Sequence, residues 1–210
     1  MFRNTGKRLL TLMAATAAIV ALVAAPAVAC PATKIPDAAM LQPADLGGVA
    51  ISPAAAALRP ELRPPQPFVR YHSAAKRVAD RAVQAVYPVG DVRPTVLLEY
   101  VATYRGGGAA QYLRELRQAV RHSTGRTDDG RTWRILDQGI AGRHSMLLSV
   151  SQTVEYGDTG SRVQTIYVAV ARVGHAVVVL ADIGWEVGDG HEVIVRGLAP
   201  AAVLRASVLR

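Results

Sequence analysis

Met146-Leu147-Leu148-Ser149-Val150-Ser151-Gln152-Thr153-Val154-Glu155-Tyr156 is the stretch on which the fold class turns. Met146, Leu148, Val150, Val154 and Tyr156 alternate with Ser149, Ser151, Thr153 and Glu155, so one row faces a core and the other does not. Gly157-Asp158-Thr159-Gly160 turns the chain and Val163–Arg172 returns beside it. Gly174-His175 suits a two-residue hairpin, which feeds Ala176–Ile183. The run Val177-Val178-Val179-Leu180 is apolar on both faces and predicts a strand central in its sheet.

Working outward from this meander, Trp133–Leu136 predicts a strand before it, preceded by the turn-rich Ser123–Gly130. Within 95–104, Val96, Leu98, Tyr100, Ala102 and Tyr104 share one face while Glu99 and Thr103 point away. Residues 77–87 have mixed periodicity that suits a helix or a strand, and the turn formers Pro88, Gly90 and Asp91 ahead of 95–104 favour the strand. Gly106-Gly107-Gly108 opens a helix over 108–122, where Ala110, Leu113, Leu116 or Arg117, and Val120 recur at helical spacing. A closing helix follows Gly188-Asp189-Gly190, with Asp189 and Glu192 spaced as in a capping box and Pro200 breaking or kinking it. The prediction is an α+β domain: an antiparallel meander sheet of about five or six strands, with two helices packed on one face. No internal repeat is present.

The other end of the chain carries an address. Met1–Arg8 is short and basic, Leu9 to Val23 is almost wholly apolar, and Pro26 precedes Ala27-Val28-Ala29-Cys30. This is the anatomy of a signal peptide over residues 1–29, with an apolar stretch shorter than the ~20 residues a spanning helix needs. Cys30 is the only cysteine, so no intramolecular disulfide can form. A thiol at the new N-terminus can take a thioether-linked diacylglycerol, and two or three acyl chains anchor stably. The segment resembles a bacterial lipobox, except that Ala27 stands where Leu is usual. The same three residues suit an ordinary small-x-small cut between Ala29 and Cys30, which would release a soluble protein. Both readings place the domain outside the cell; the first puts it on the outer face of the membrane, bound to lipid through Cys30. Residues 30–70, with eight of the 12 prolines, read as a lipid-attachment cysteine and an extended tether. Inside it, 37–46 suggests short helical turns capped by Asp37, ended by Gly47-Gly48 and docked on the domain. Residues 71–210 form the single extracellular domain.

Composition sets limits on partners. Arg3, Lys7 and Arg8 fall in the leader, so 21 of the 24 basic residues remain against 16 acidic ones. They are scattered, with no run of five or six, so a nucleic-acid footprint is lacking. A mildly basic face near anionic headgroups is the plainer consequence.

The chemistry-bearing residues are few. Gly106-Gly107-Gly108 lacks both the Lys-Ser/Thr ending of a P-loop and dinucleotide-site spacing, and reads as a tight turn. The densest polar group lies in Gly184–Glu192, where Trp185, Glu186, Asp189, His191 and Glu192 share one loop and offer a ligand site; helix capping explains Asp189 and Glu192 equally well. His72, His122, His144, His175 and His191 are dispersed without zinc-ligand spacing. No nucleophile elbow or Ser-x-x-Lys occurs, and Asp128-Asp129 beside Gly130 read as turn formers. The residues call for no cofactor and no metal. Trp133, Trp185, Tyr100, Tyr104, Tyr156 and Tyr167 serve either a pocket or the core.

The succession of strand, Tyr104-Arg105-Gly106-Gly107-Gly108 helix, tryptophan strand, Tyr167–Gly174 and Ala181-Asp182-Ile183-Gly184-Trp185-Glu186, opened by Met40-Leu41-Gln42-Pro43-Ala44-Asp45-Leu46-Gly47, resembles a group of secreted and lipid-anchored actinobacterial proteins of unknown function. More distantly it is similar to the extracellular sensor domain of receptor serine/threonine kinases. The resemblance spans about 37–210 and implies a fold and an address, with no activity. Those sensor domains are typically cross-linked by disulfides, which this chain cannot form, and it carries no kinase domain. The expectation is a non-enzymatic surface protein that binds a small ligand, an envelope component or a protein partner. A secreted enzyme with an unrecognised site and a structural envelope protein are the alternatives.

Overall fold

In the computed structural model, residues 31–58, 71–90, 93–122, 130–155, 160–186 and 188–210 are described. The leader, Cys30, the proline cluster Pro60–Pro67, Asp128-Asp129, Tyr156 and most of the Gly157–Gly160 turn lie outside them. The elements are β1 (Ser52–Pro53), β2 (Arg77–Val89), β3 (Arg93–Tyr104), α1 (Gly108–His122), β4 (Thr132–Gln138), β5 (Ser145–Glu155), β6 (Ser161–Val173), β7 (Ala176–Asp182) and α2 (Glu192–Ala206). They make one antiparallel sheet in the order β1-β2-β3-β7-β6-β5-β4.

The β4–β7 meander forms as its alternation predicts, and β7 is central, between β3 and β6. All seven of its residues are buried, consistent with an apolar run covered on both faces. The sheet has seven strands rather than five or six. The extra one, Ser52–Pro53, is two residues long and pairs with Gln84 and Val83, too short and proline-bound to register as a strand in sequence.

The two helices do not share a face. On one side α1 buries Ala109, Tyr112, Leu113, Leu116, Ala119 and Val120 against Leu98, Ala102, Met146, Leu148 and Val179. On the other, α2 buries Val195, Ala199, Ala202 and Ala206 against Leu97, Val101, Leu147, Val178 and Leu180. The expected one-faced arrangement is therefore corrected to three layers, helix–sheet–helix. The reason is visible in β3 and β5, where Leu97, Val101 and Leu147 give the second face its own apolar row and require a cover. Trp133 is buried, and Tyr71, Tyr104 and Tyr112 pack together beneath α1, with ring centroids 5.6 Å apart for Tyr71–Tyr112 and 5.9 Å for Tyr104–Tyr112. These aromatics are core.

The cover on the α2 side is completed by the segment expected as a tether. Over 32–51 the chain lies on this face of the sheet: Ile35, Ala39, Met40, Leu41 and Leu46 are buried in the α2-side core. Two 3-10 turns, Asp37–Ala39 and Pro43–Leu46, shape it. Asp37 starts the first without capping it through its side chain. The second is held by a Gln42–Asp45 capping box and closed by Gly47 in the left-handed conformation. Asp45 pairs with Arg205 at 3.0 Å, and Thr103 Oγ1 donates to the Ala32 carbonyl at 2.6 Å. Prolines pre-set the backbone and so lower the entropy lost on docking; here they stiffen a docked strap.

Among the described residues no helix is long and apolar enough to cross a membrane.

Candidate functional site

The polar loop between β7 and α2 is the first candidate. Asp182 closes β7 fully buried, and its carboxylate ties that loop to β3 and β7. Its Oδ1 accepts from the Thr95 hydroxyl and from Gly184 N at 2.9 Å. Its Oδ2 accepts from His191 N at 3.0 Å and faces His191 Nδ1 at 3.2 Å. Gly190 must be glycine because a Cβ there would overlap the Asp182 carbonyl. Gln164 Nε2 donates to Gly188 O at 2.8 Å, and Gly190 N donates to Thr165 O at 2.9 Å. The loop is thereby pinned to β6 and β7.

Of the residues singled out in sequence, Asp189 is spent on the fold: Oδ1 accepts from Thr165 N at 2.8 Å and Oδ2 pairs with Arg162 at 3.0 Å. The expected capping box is not formed, since α2 begins at Glu192 behind His191 with no side-chain cap. Glu192 instead pairs with Arg196, which also holds Asp137. Pro200 sits inside an unbroken α2. What the loop leaves available is a half-buried Trp185, an exposed Glu186 with φ 54°, and the outer nitrogen of His191. A buried carboxylate orienting an imidazole is half of a nucleophilic triad. The other half is missing among the described residues: no Ser, Thr or Cys bonds to His191 Nε2, so the pair orients a loop. No described group of three or more His, Cys, Asp or Glu is placed to hold a metal ion.

A second polar position, Glu99, escaped the sequence reading. It points away from the Leu98 row as expected, but the strap and α2 cover that face, leaving Glu99 only 2 % exposed. Oε2 accepts from Leu41 N at 2.7 Å, while Oε1 has no protein partner. Burial pushes the carboxyl up to about 8; the Leu41 bond and Arg81 act downward, Asp45 upward. Its neighbours Leu97 and Val101 on the same face were the available signal that this row is covered. The niche beside it, lined by Leu41, Leu46, Ile51, Val83, Leu97 and Leu180, has a cavity volume of about 10 Å³, room for about one water. That is below the roughly 300–1,000 Å³ of an ordinary small-molecule pocket.

The third feature is a surface. The face of α2 opposite its buried row carries Val193, Pro200 and Leu204 into solvent, with Val193 76 % and Leu204 71 % exposed, and Val208 is exposed in the 3-10 turn Ser207–Leu209 that follows. Gly197 completes the stripe. A helix apolar on both faces is usually buried on both.

Gly106 and Gly107 adopt positive φ, and a Cβ on Gly108 would crowd Lys76 and Tyr104. The glycine triplet is accordingly a tight turn, the reading preferred in sequence.

No protein-family model matches the chain, and no curated protein does. In fold it is similar to the crystal structure of the extracellular domain of PknH from Mycobacterium tuberculosis. The likeness covers 82 % of this chain and 94 % of that one, with a TM-score of 0.51 at 13 % identity. The distant resemblance to receptor-kinase sensor domains is thus matched in the fold.

Proposed function

We propose that this chain is an exported protein, cut between Ala29 and Cys30 and held on the outer face of the cell membrane by lipid on Cys30, whose domain binds a partner without catalysing a reaction. The extracellular origin of the similar fold supports the address. The observation that carries the binding half is the solvent-facing apolar stripe Val193–Gly197–Pro200–Leu204 on α2, continued by Val208 in the turn after it. Such contiguous apolar surface on a folded domain marks an interaction site, and a protein or an apolar envelope component suits it better than a small ligand does.

Each half has its own test. Detergent phase partition of membranes should place the protein in the detergent phase and its Cys30→Ser variant in the aqueous phase; a wild-type protein released with a bare thiol overturns the anchor. A photo-cross-linker at position 204 should give one discrete adduct in intact cells, lost on Val193→Glu, while a cross-linker at the exposed Val163 gives none. A turnover that depends on His191 would overturn the non-enzymatic reading.

A further inference from the structure

Several basic side chains gather at one end of the sheet. Thr103 pairs with Ala176, Val173 with Ala176, and Arg77 with Tyr104. Arg105 N bonds Lys76 O, Arg172 N bonds His144 O, and Gly174 lies against Arg210. These links collect Arg77, Arg105, Arg143, Arg172 and Arg210 at one end of the sheet. Lys34 joins them, two residues from the Ala32 carbonyl that Thr103 holds. Apart from the Arg77–Asp80 pair, no described carboxylate forms a salt bridge with any of the six. Desolvation first, and then Arg172, Arg143 and Arg117, hold the His144 imidazole below its usual value. The opposite end carries the Asp182–His191 loop with Glu186, Asp189 and Glu192, together with Glu155.

The chain enters at the basic end. Ala32 is fixed to β3, so only Pro31 separates it from Cys30, a reach of about 7 Å at ~3.5 Å per residue. That is within one Debye length, ~8 Å at physiological salt. Because the strap is docked, acyl chains on Cys30 would leave no spacer between this end and the headgroups.

We propose that this basic end is a docking surface for the anionic phospholipid headgroups of the bilayer, so that the domain sits flush on the membrane with the 184–191 loop facing outward. The orientation rests on the lipid anchor proposed for Cys30; the headgroup preference does not. Each Lys or Arg near an anionic surface adds about a fivefold gain in partition.

The test uses the exported, processed Cys30→Ser protein, so that protein charge alone binds. It is titrated with vesicles of phosphatidylcholine, and of phosphatidylcholine and phosphatidylglycerol in equal parts. The expected result is salt-sensitive binding to the anionic vesicles only. Adding Arg105→Gln, Arg143→Gln and Arg210→Gln should weaken it about 100-fold. Adding Arg93→Gln, Arg134→Gln and Arg162→Gln instead should change it less than fivefold, with circular dichroism unchanged in both. Equal binding to the two vesicle types, equal losses in the two triple variants, or tighter binding to a DNA duplex than to anionic vesicles each overturns the proposal. Mass spectrometry of the wild-type N-terminus reads the anchor separately: a bare Cys30 with the vesicle preference intact overturns the flush orientation and leaves the headgroup surface standing.

Discussion

Replacing Glu99 by Gln removes one buried proton-binding group and nothing else of similar size. In the fold, Glu99 holds its proton to about pH 8, against an ordinary value of 4.5. Between those values the folded state binds one proton more than the unfolded state. Stability therefore falls as pH rises, by about 1.4 kcal/mol per unit. The full loss across the window is about 5 kcal/mol, complete near pH 8 and absent below the unfolded value. A Glu99→Gln side chain can still accept from Leu41 N but does not titrate. Urea unfolding at several pH values should then show the variant gaining on the wild type by ~3 kcal/mol between about pH 4.5 and pH 7. The offset at the lowest pH reports the amide's own packing cost. A gap between the two proteins that stays constant with pH would refute the reasoning, because Glu99 would then be ionised in the fold and partnered. The result bears on the strap, since Leu41 N donates to Glu99 Oε2 where the strap lies over β3.

Two other perturbations separate a docked strap from a tether and a pinned loop from a free one. Met40 is 2 % exposed, so Met40→Ala should cost 2–5 kcal/mol in chemical denaturation; a cost under about 0.5 kcal/mol, usual for a surface site, would mean the strap is not part of the core. Asp182→Asn weakens the bonds that carboxylate accepts from Thr95, Gly184 and His191, and should destabilise the protein by roughly 2–3 kcal/mol. It should also speed amide exchange at Gly184 and His191 more than in β5, and uniform exchange across the molecule would contradict the pinning role.

The sequence by itself determined the elements and the class. Alternation along Leu148–Glu155, an apolar run at Val177–Leu180 and a glycine triplet before a 3.6-period helix are local signals, and each produced the element it predicts. The address proposed for the chain rests on local pattern as well, a basic–apolar N-terminal stretch and a single cysteine, because an export signal is read in an unfolded segment.

What only the tertiary structure decided was which faces are covered and by what. Glu99 and Thr103 alternate with an apolar row and look wet, yet both are buried, because a strap 50 or more residues upstream and a helix some 95 residues downstream meet over them. Asp189 and Glu192 carry capping spacing, but the register of β6 beside β7 brings Thr165 and Arg162 within reach and takes Asp189 for itself. The basic end exists only because strand pairing brings residues as far apart as Lys34, Arg105 and Arg210 to one place. Burial, pairing and surface charge are properties of neighbours distant in the chain, and a period of two or 3.6 carries no record of them.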